Sequence, residues 1–154
     1  MSDPADAPLD PETRAEIARR FTAAIPWVTA LGMTLEELDR GEAVMRAPYD
    51  DRFVGDPATG VIHGGVLTAL LDTCCGAAVM SHPKAPGATA TIDLRIDYMR
   101  PARVGRAVFA RARCYRVTRS VAFVRAVAYE TDEDDPVAAA AGAFTMQGGR
   151  RGRR

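Results

Sequence analysis

The sequence predicts an α+β protein in which an antiparallel sheet wraps around one central buried helix. Three observations carry that expectation. Residues 63–80 form a helix-length run, apolar or small on every side, with Asp72 as its one charged member, and a helix without a polar face is buried all round. Thr91, Asp93, Arg95 and Asp97 alternate with Ile92, Leu94, Ile96 and Tyr98, the period of two that puts one face of a strand in a core. The element order is helix, two strands, buried helix, four strands, without βαβ alternation, repeat or domain linker.

The elements follow in chain order. Asp10 before Pro11 and Glu12 reads as an N-cap with proline at the first helical position, and Ile17, Phe21 and Ala24 recur at helical spacing, so an amphipathic helix is expected over 11–24. Pro26 stops it, and Trp27, Val28 and Leu31 pack a short second turn. Residues 33–38 and 42–49 flank Asp39, Arg40 and Gly41, where the glycine permits a tight hairpin turn. Residues 50–62 contain Gly55, Asp56, Pro57 and Gly60, too many breakers for a regular element, and are expected to form a loop. After the buried helix, ended by His82, Pro83 and the Pro86-Gly87 pair, come the strand 91–98 and three more over 107–117, 120–131 and 137–146. Ala110, Ala112, Ala122, Ala126, Ala139 and Ala141 are expected on the inner face, where small side chains let the helix approach. The domain plan is an N-terminal acidic segment and helix over 1–26, the main domain over 27–147 and a disordered basic tail over 148–154.

Composition narrows the function. With 154 residues, 47% hydrophobic and 26% charged, the chain has room for one domain with a substantial core. Residues 1–10 are polar and acidic, which reads as neither signal peptide nor membrane anchor, so a cytoplasmic protein is the default expectation. Cys74, Cys75 and Cys114 form no disulfide framework or metal spacing, and with His63 and His82 as the only histidines no metal is expected. Four arginines in the last five residues leave the rest with 16 basic against 20 acidic side chains, a net −4, which is not a nucleic-acid surface. The tail reads as a solvated terminus.

The chemistry centres on the run that begins at Gly64. An ionised carboxylate in an apolar interior costs several kcal/mol, on the order of the penalty for any unpaired buried ion, unless it is paired or hydrogen-bonded. Asp72 is therefore either a structural aspartate satisfied by backbone or by Thr68, or a working acid. Gly64 and Gly65 leave N–H groups sterically open at a helix N-terminus, where the dipole favours developing negative charge; close packing is the competing explanation. Gly64 and Asp72 are eight residues apart, roughly 12 Å along a helix axis. One carbonyl cannot touch both, so if both act on it they come from different subunits, as a two-fold dimer with antiparallel central helices allows. His63, just before the helix, either bonds within the loop or orients the oxyanion amide.

Residues Gly60-Val61-Ile62-His63-Gly64-Gly65, Asp72 nine positions after the histidine, the strand from Thr91 to Pro101 and the stretch Arg119-Ser120-Val121-Ala122 together resemble the PaaI-like branch of hotdog-fold acyl-CoA thioesterases, over roughly 27–146. The resemblance implies Asp72 as general base or nucleophile, the Gly64 amide as oxyanion donor beside Gly65, and a site between subunits. It implies that Thr91 orients the attacking water, and that Arg119 and Ser120 lie where the CoA moiety binds. It implies an acyl-CoA substrate, no cofactor beyond the CoA that the substrate carries, and a homodimer or dimer of dimers without membrane or nucleic-acid partners. One position departs from the family, Pro57 standing where an asparagine is common six residues before the histidine; neighbouring Asp56 is the candidate replacement for its polar role.

Three rivals remain. A cysteine nucleophile is disfavoured because an apolar helix raises the pKa of Cys74 and Cys75. A non-catalytic acyl-CoA binding or sensing module would keep the pocket without needing the base. A hydratase or dehydratase of the same fold pairs its histidine with an acid in a different arrangement from His63-Gly64-Gly65.

Overall fold

The computed structural model describes residues 10–84 and 87–146. The basic tail and the acidic start, residues 147–154 and 1–9, lie outside the described residues. Helix α1 (Pro11–Ala24) starts as the sequence predicts, with the Asp10 carboxylate accepting the Thr13 N–H at 2.9 Å, the side-chain cap that satisfies an otherwise orphaned donor. It carries no fully buried residue. Ile17 and Phe21 are only half-buried and Ala24 is exposed, so α1 lies on the surface of the domain. A one-turn helix, α2 (Pro26–Ala30), brings in Val28 as its buried anchor.

Strands β1 (Thr34–Asp39) and β2 (Glu42–Ala47) form the expected hairpin. Arg40 and Gly41 both have positive φ, 38° and 93°, the pair of left-handed residues that a two-residue turn matched to strand twist requires. The loop expected over 50–62 is more ordered than its breakers suggest. It holds a 3-10 turn, Asp51–Phe53, and a small ladder between β3 (Val54–Asp56) and β4 (Val61–Ile62), because Gly60, Pro57 and Asp56 cluster in the turn and leave short extended arms either side.

Helix α3 (Gly64–Ser81) is followed by β5 (Thr91–Tyr98), β6 (Val108–Val117), β7 (Val121–Tyr129) and β8 (Ala138–Thr145). The six long strands make one wholly antiparallel sheet in the order β1-β2-β6-β7-β8-β5. It curls around α3. Ala110, Ala112, Ala122, Ala126, Ala128, Ala138 and Ala140 are buried on its inner face. Ala139 and Ala141, expected there, instead face outward opposite Asp97 and Arg95, since the alternation of β8 runs through the even-numbered alanines. The alanines bring helix and sheet so close that Cys74 Sγ lies 3.4 Å from the Ala43 carbonyl and 3.3 Å from that of Ala110. At the far end the Gly41 N–H donates to Ser81 Oγ at 3.0 Å, pinning the first hairpin to the helix C-terminus.

Helix α3 is the one described helix long and apolar enough to cross a membrane, and here the sheet covers its nine buried residues. It is not buried all round, contrary to expectation. Gly65 and Thr68 are exposed, Ala69, Asp72, Thr73 and Gly76 are half-buried, and Met80 is exposed. The sheet of one chain encloses only part of the helix circumference, and residues small or hydroxylated enough to pass for core line the open side.

Candidate active site

The site is built where α3 begins and where β5 runs beside its open face. His63 is the N-cap: its Nδ1 accepts the Gly65 N–H at 2.9 Å and its carbonyl takes the Val66 N–H at 3.0 Å. The small β3–β4 ladder fixes the histidine in turn, since the His63 N–H donates to the Phe53 carbonyl at 2.7 Å and a Cβ on Gly55 would sit 2.9 Å from His63 Cα. The first N–H groups of a helix have no intrahelical partner. With those of Gly65 and Val66 engaged, the Gly64 N–H is left without an acceptor among the described residues. An unpaired donor at the positive end of an eighteen-residue helix is suited to an oxyanion.

Asp72 lies two turns further along on the open face. It is half-buried, so the isolated charge in an apolar interior expected from the sequence is corrected to a carboxylate at the edge of the core with access to solvent. Its side-chain partner is Thr91, whose Oγ1 donates to Asp72 Oδ1 at 2.7 Å. Thr68, the structural partner considered from sequence, donates to the Gly64 carbonyl at 3.2 Å and bonds the Tyr98 hydroxyl.

The Thr91 contact depends on a departure from the alternation. Strict period two groups Thr91 with Asp93, Arg95 and Asp97 on the face away from Leu94 and Ile96. The β5–β8 register instead shifts between Thr91 and Asp93, a bulge that places one extra residue on β5. Thr91 thereby turns toward α3, while Ile92 is left 55% exposed. Bulges re-aim side chains next to functional sites, and here the re-aimed group is the hydroxyl that holds Asp72.

Tyr98, at the other end of β5, is a site residue that the sequence motifs do not single out. Its hydroxyl reaches Thr68 Oγ1 and, at 3.4 Å, the Gly64 carbonyl. Its ring packs over the helix start, where a Cβ on Gly64 would sit 3.2 Å from Tyr98 Cε1. The available signal was a tyrosine in the apolar phase of β5, because its O–H needs a polar partner when the ring packs.

The other candidates fall elsewhere. Asp56 heads the β3–β4 turn, its carboxylate taken by the Ala58 N–H at 3.0 Å and the Thr59 hydroxyl at 2.7 Å. Arg119 and Ser120 are the exposed turn between β6 and β7, at the end of the sheet where the Met146 N–H meets the Ser120 carbonyl at 2.8 Å. Among the described residues no hydrogen bond joins them to Asp72 within one chain. Burial pushes the Cys74 thiol up to about 12 and the Cys75 thiol well above its ordinary value, so neither is a ready nucleophile. Among the described residues no group of three or more metal-ligating side chains converges.

Two large cavities, about 640 and 670 Å³, flank α1, and neither is lined by Asp72. The catalytic candidates lie on the open face of α3, outside both of these cavities.

Residues 59–137 match the thioesterase superfamily. The medium/long-chain acyl-CoA thioesterase YigI of Salmonella typhimurium is 30% identical over 130 residues, 76% of this chain and 83% of its own. Among the curated relatives it matches, the chain spans 65% of the length of one and 83% of another. A Pseudomonas aeruginosa protein of known structure is 42% identical with a TM-score of 0.76, over 86% of this chain and 98% of that one. A mutant of the phenylacetic acid degradation protein PaaI from Thermus thermophilus is 29% identical with a TM-score of 0.70, over 80% of this chain and all of that one. With its six-stranded antiparallel sheet curled around α3 in the hotdog fold, this chain belongs to the thioesterase superfamily.

Proposed function

We propose that the protein hydrolyses acyl-CoA thioesters to free acid and CoA, at a site shared between two copies of the chain. One observation carries this reading. A carboxylate held by Thr91 and an unpaired Gly64 N–H lie on the same helix, eight residues or roughly 12 Å apart along the axis. No single thioester carbonyl spans both. A second α3, antiparallel to the first with the two-fold axis level with residue 68, sets Asp72 of each chain against Gly64 of the other.

The surface favours that arrangement. The open face of α3 adjoins β5, an edge strand of the sheet whose Ile92 and Tyr98 are more than half exposed. The unpaired backbone of an edge strand is a template for pairing with another chain, and one partner copy would cover edge and helix face together.

With Asp72 as general base, its carboxylate takes a proton from water while the water oxygen bonds the thioester carbon. The Gly64 N–H of the other copy stabilises the charge on the carbonyl oxygen, the C–S bond breaks, and the proton leaves with the thiolate as CoA. With Asp72 as nucleophile, a mixed anhydride forms and CoA leaves, and water then opens the anhydride to the same acid. Thr91 orients the carboxylate in either route, and the exposed Arg119–Ser120 turn is the candidate contact for the CoA moiety.

Mixing two inactive variants tests the shared site. Asp72→Asn removes the base. Gly64→Pro removes the N–H while adding a ring whose Cβ would sit 3.2 Å from Tyr98 Cε1, so the tyrosine must give slightly; proline is otherwise favoured at the first helical position, and His63 already has the extended conformation, ψ 137°, that a residue before proline needs. In a mixed dimer one site carries both lesions and the other neither. Random reassociation at equal amounts should therefore restore about a quarter of wild-type turnover of an acyl-CoA panel followed by free thiol. If the mixture stays as inactive as its components while exchanging subunits, the shared site is wrong; if wild type releases no thiol from any acyl-CoA, the activity is.

A further inference from the structure

The proposed reaction leaves open where the acyl group lies, and the open face of α3 points to an answer. Asp72, Gly76 and Met80 follow one another at four-residue spacing, so they run as a strip down one side of the helix. Midway the strip is bare, since a Cβ built on Gly76 would meet nothing within 4 Å. The strip ends at Met80 in the 670 Å³ cavity, lined by Ile17, Phe21 and Ala24 of α1, Leu38 of β1, and Ala77 with Met80 of α3. Its volume falls in the range of pre-formed small-molecule pockets. The exposed Arg20 and Arg40 also border it and mark its solvent side.

We infer that this cavity, joined to Asp72 across Gly76, holds the distal part of a fatty acyl chain, and that α1 forms its outer wall. The inference rests on the hydrolase reading above and adds the substrate class. From Asp72 to Met80 is eight residues, roughly 12 Å. A carbon–carbon bond of about 1.5 Å bent at about 111° advances about 1.25 Å per carbon, so roughly ten carbons reach the cavity. Chains of about six carbons or fewer end over Gly76 without entering it. A fatty chain also suits the geometry better than an aryl group, which would stop on the strip and leave the apolar cavity unfilled.

The test is the profile of kcat/KM against chain length, from butanoyl- to hexadecanoyl-CoA, for wild type and two variants on different elements. Wild type should gain about fourfold per methylene buried in the cavity, from about ten carbons upward. Gly76→Leu places a side chain across the strip, and Ala24→Trp fills the α1 side of the cavity. Each should lower the ratio of dodecanoyl- to butanoyl-CoA kcat/KM at least tenfold, mostly through KM. Using both keeps the test decisive if one fails to fold. A flat wild-type profile, or a rising one that neither folded variant alters, overturns the inference and assigns the cavity to another occupant such as the N-terminal segment or a second copy. Absence of thiol release from every acyl-CoA would instead remove the hydrolase reading on which it rests.

Discussion

Replacing Asp72 by asparagine is the most direct perturbation of the proposed chemistry, because it removes charge and basicity while keeping shape. The amide oxygen can still accept from Thr91 Oγ1, which now stands 2.7 Å away, and aspartate and asparagine have near-equal helix propensities. Stability should therefore change by less than about 1 kcal/mol, within the usual range for a partly exposed site. Turnover should not be spared, since a positioned general base contributes about 10²–10⁴-fold, or about 3–5 kcal/mol of activation free energy at 1.36 kcal/mol per decade. Thr91→Val measures the support separately. Losing a hydrogen bond to a charged group costs about 1.5–3 kcal/mol, about 10- to 150-fold in kcat/KM if the bond persists in the transition state. The two sites form a cycle. If Thr91 acts only by holding Asp72, the double variant is no slower than Asp72→Asn alone. The assay is steady-state thiol release with a melting curve and sedimentation run on each protein. A folded, assembled Asp72→Asn enzyme turning over at near wild-type rate refutes the role, and losses that multiply in the double variant show that Thr91 has its own contact with substrate or water.

His63→Ala should cost about 0.5–2 kcal/mol by removing the cap on the Gly65 N–H, and His63→Asn, which can cap in the same way, should restore both melting temperature and kcat; restored stability without restored kcat would give the imidazole a chemical part. Iodoacetamide at pH 8 should leave turnover unchanged, since Cys74 is pushed up to about 12 by burial and Cys75 is raised in the same way; inactivation together with alkylation of either cysteine would revive the thiol mechanism. Away from the site, burial works to raise the Glu130 carboxyl, but hydrogen bonds from Arg100 and the Arg103 N–H outweigh it and hold it below its ordinary 4.5. A depressed carboxyl contributes stability that is complete above 4.5 and lost as pH falls through the lower folded value. Urea unfolding should show that loss in wild type, and Arg100→Gln, which leaves a carboxylate whose side chain is 1% exposed with the Arg103 N–H but no guanidinium fork, should cost about 1.5–3 kcal/mol at neutral pH; wild-type stability in the variant would contradict it.

Patterns that repeat were readable in the sequence, and a single local shift was not. The helix start at Asp10 and Pro11, the Arg40-Gly41 turn and the core strands each follow from propensity and period, because every residue in them points to the same answer. The bulge at Ile92 had no such redundancy. Asp93, Arg95 and Asp97 continue the alternation without a break, and nothing in the residues from Thr91 to Asp93 says that one of them is unpaired. The order inside residues 50–62 was hidden for a related reason. A ladder of three and two residues is too short to show a period, and it exists because it packs on His63, a tertiary cause.

The expectation that α3 is buried all round failed in an informative way. Gly65, Thr68, Ala69, Thr73 and Gly76 have side chains small enough to sit in a core and polar enough to meet water, so composition cannot tell which surrounds them. In one chain they face outward, in a row that contains Asp72. Large apolar residues would be expected if this face belonged to the chain's own core, and charges if it stayed in solvent. Gly65, Thr68, Ala69 and Thr73, which flank the two-fold axis at residue 68, instead let another backbone approach closely, as a second copy of α3 would, while Gly76 lies beyond the start of that second helix. The same approach would take water from around Asp72 and the Gly64 N–H. A hydrogen-bond donor aimed at a developing negative charge gains strength when water is excluded, so the site would reach its working electrostatics only on association. Activity should therefore fall with protein concentration at the dilution where the assembly dissociates, well before α3 itself unfolds.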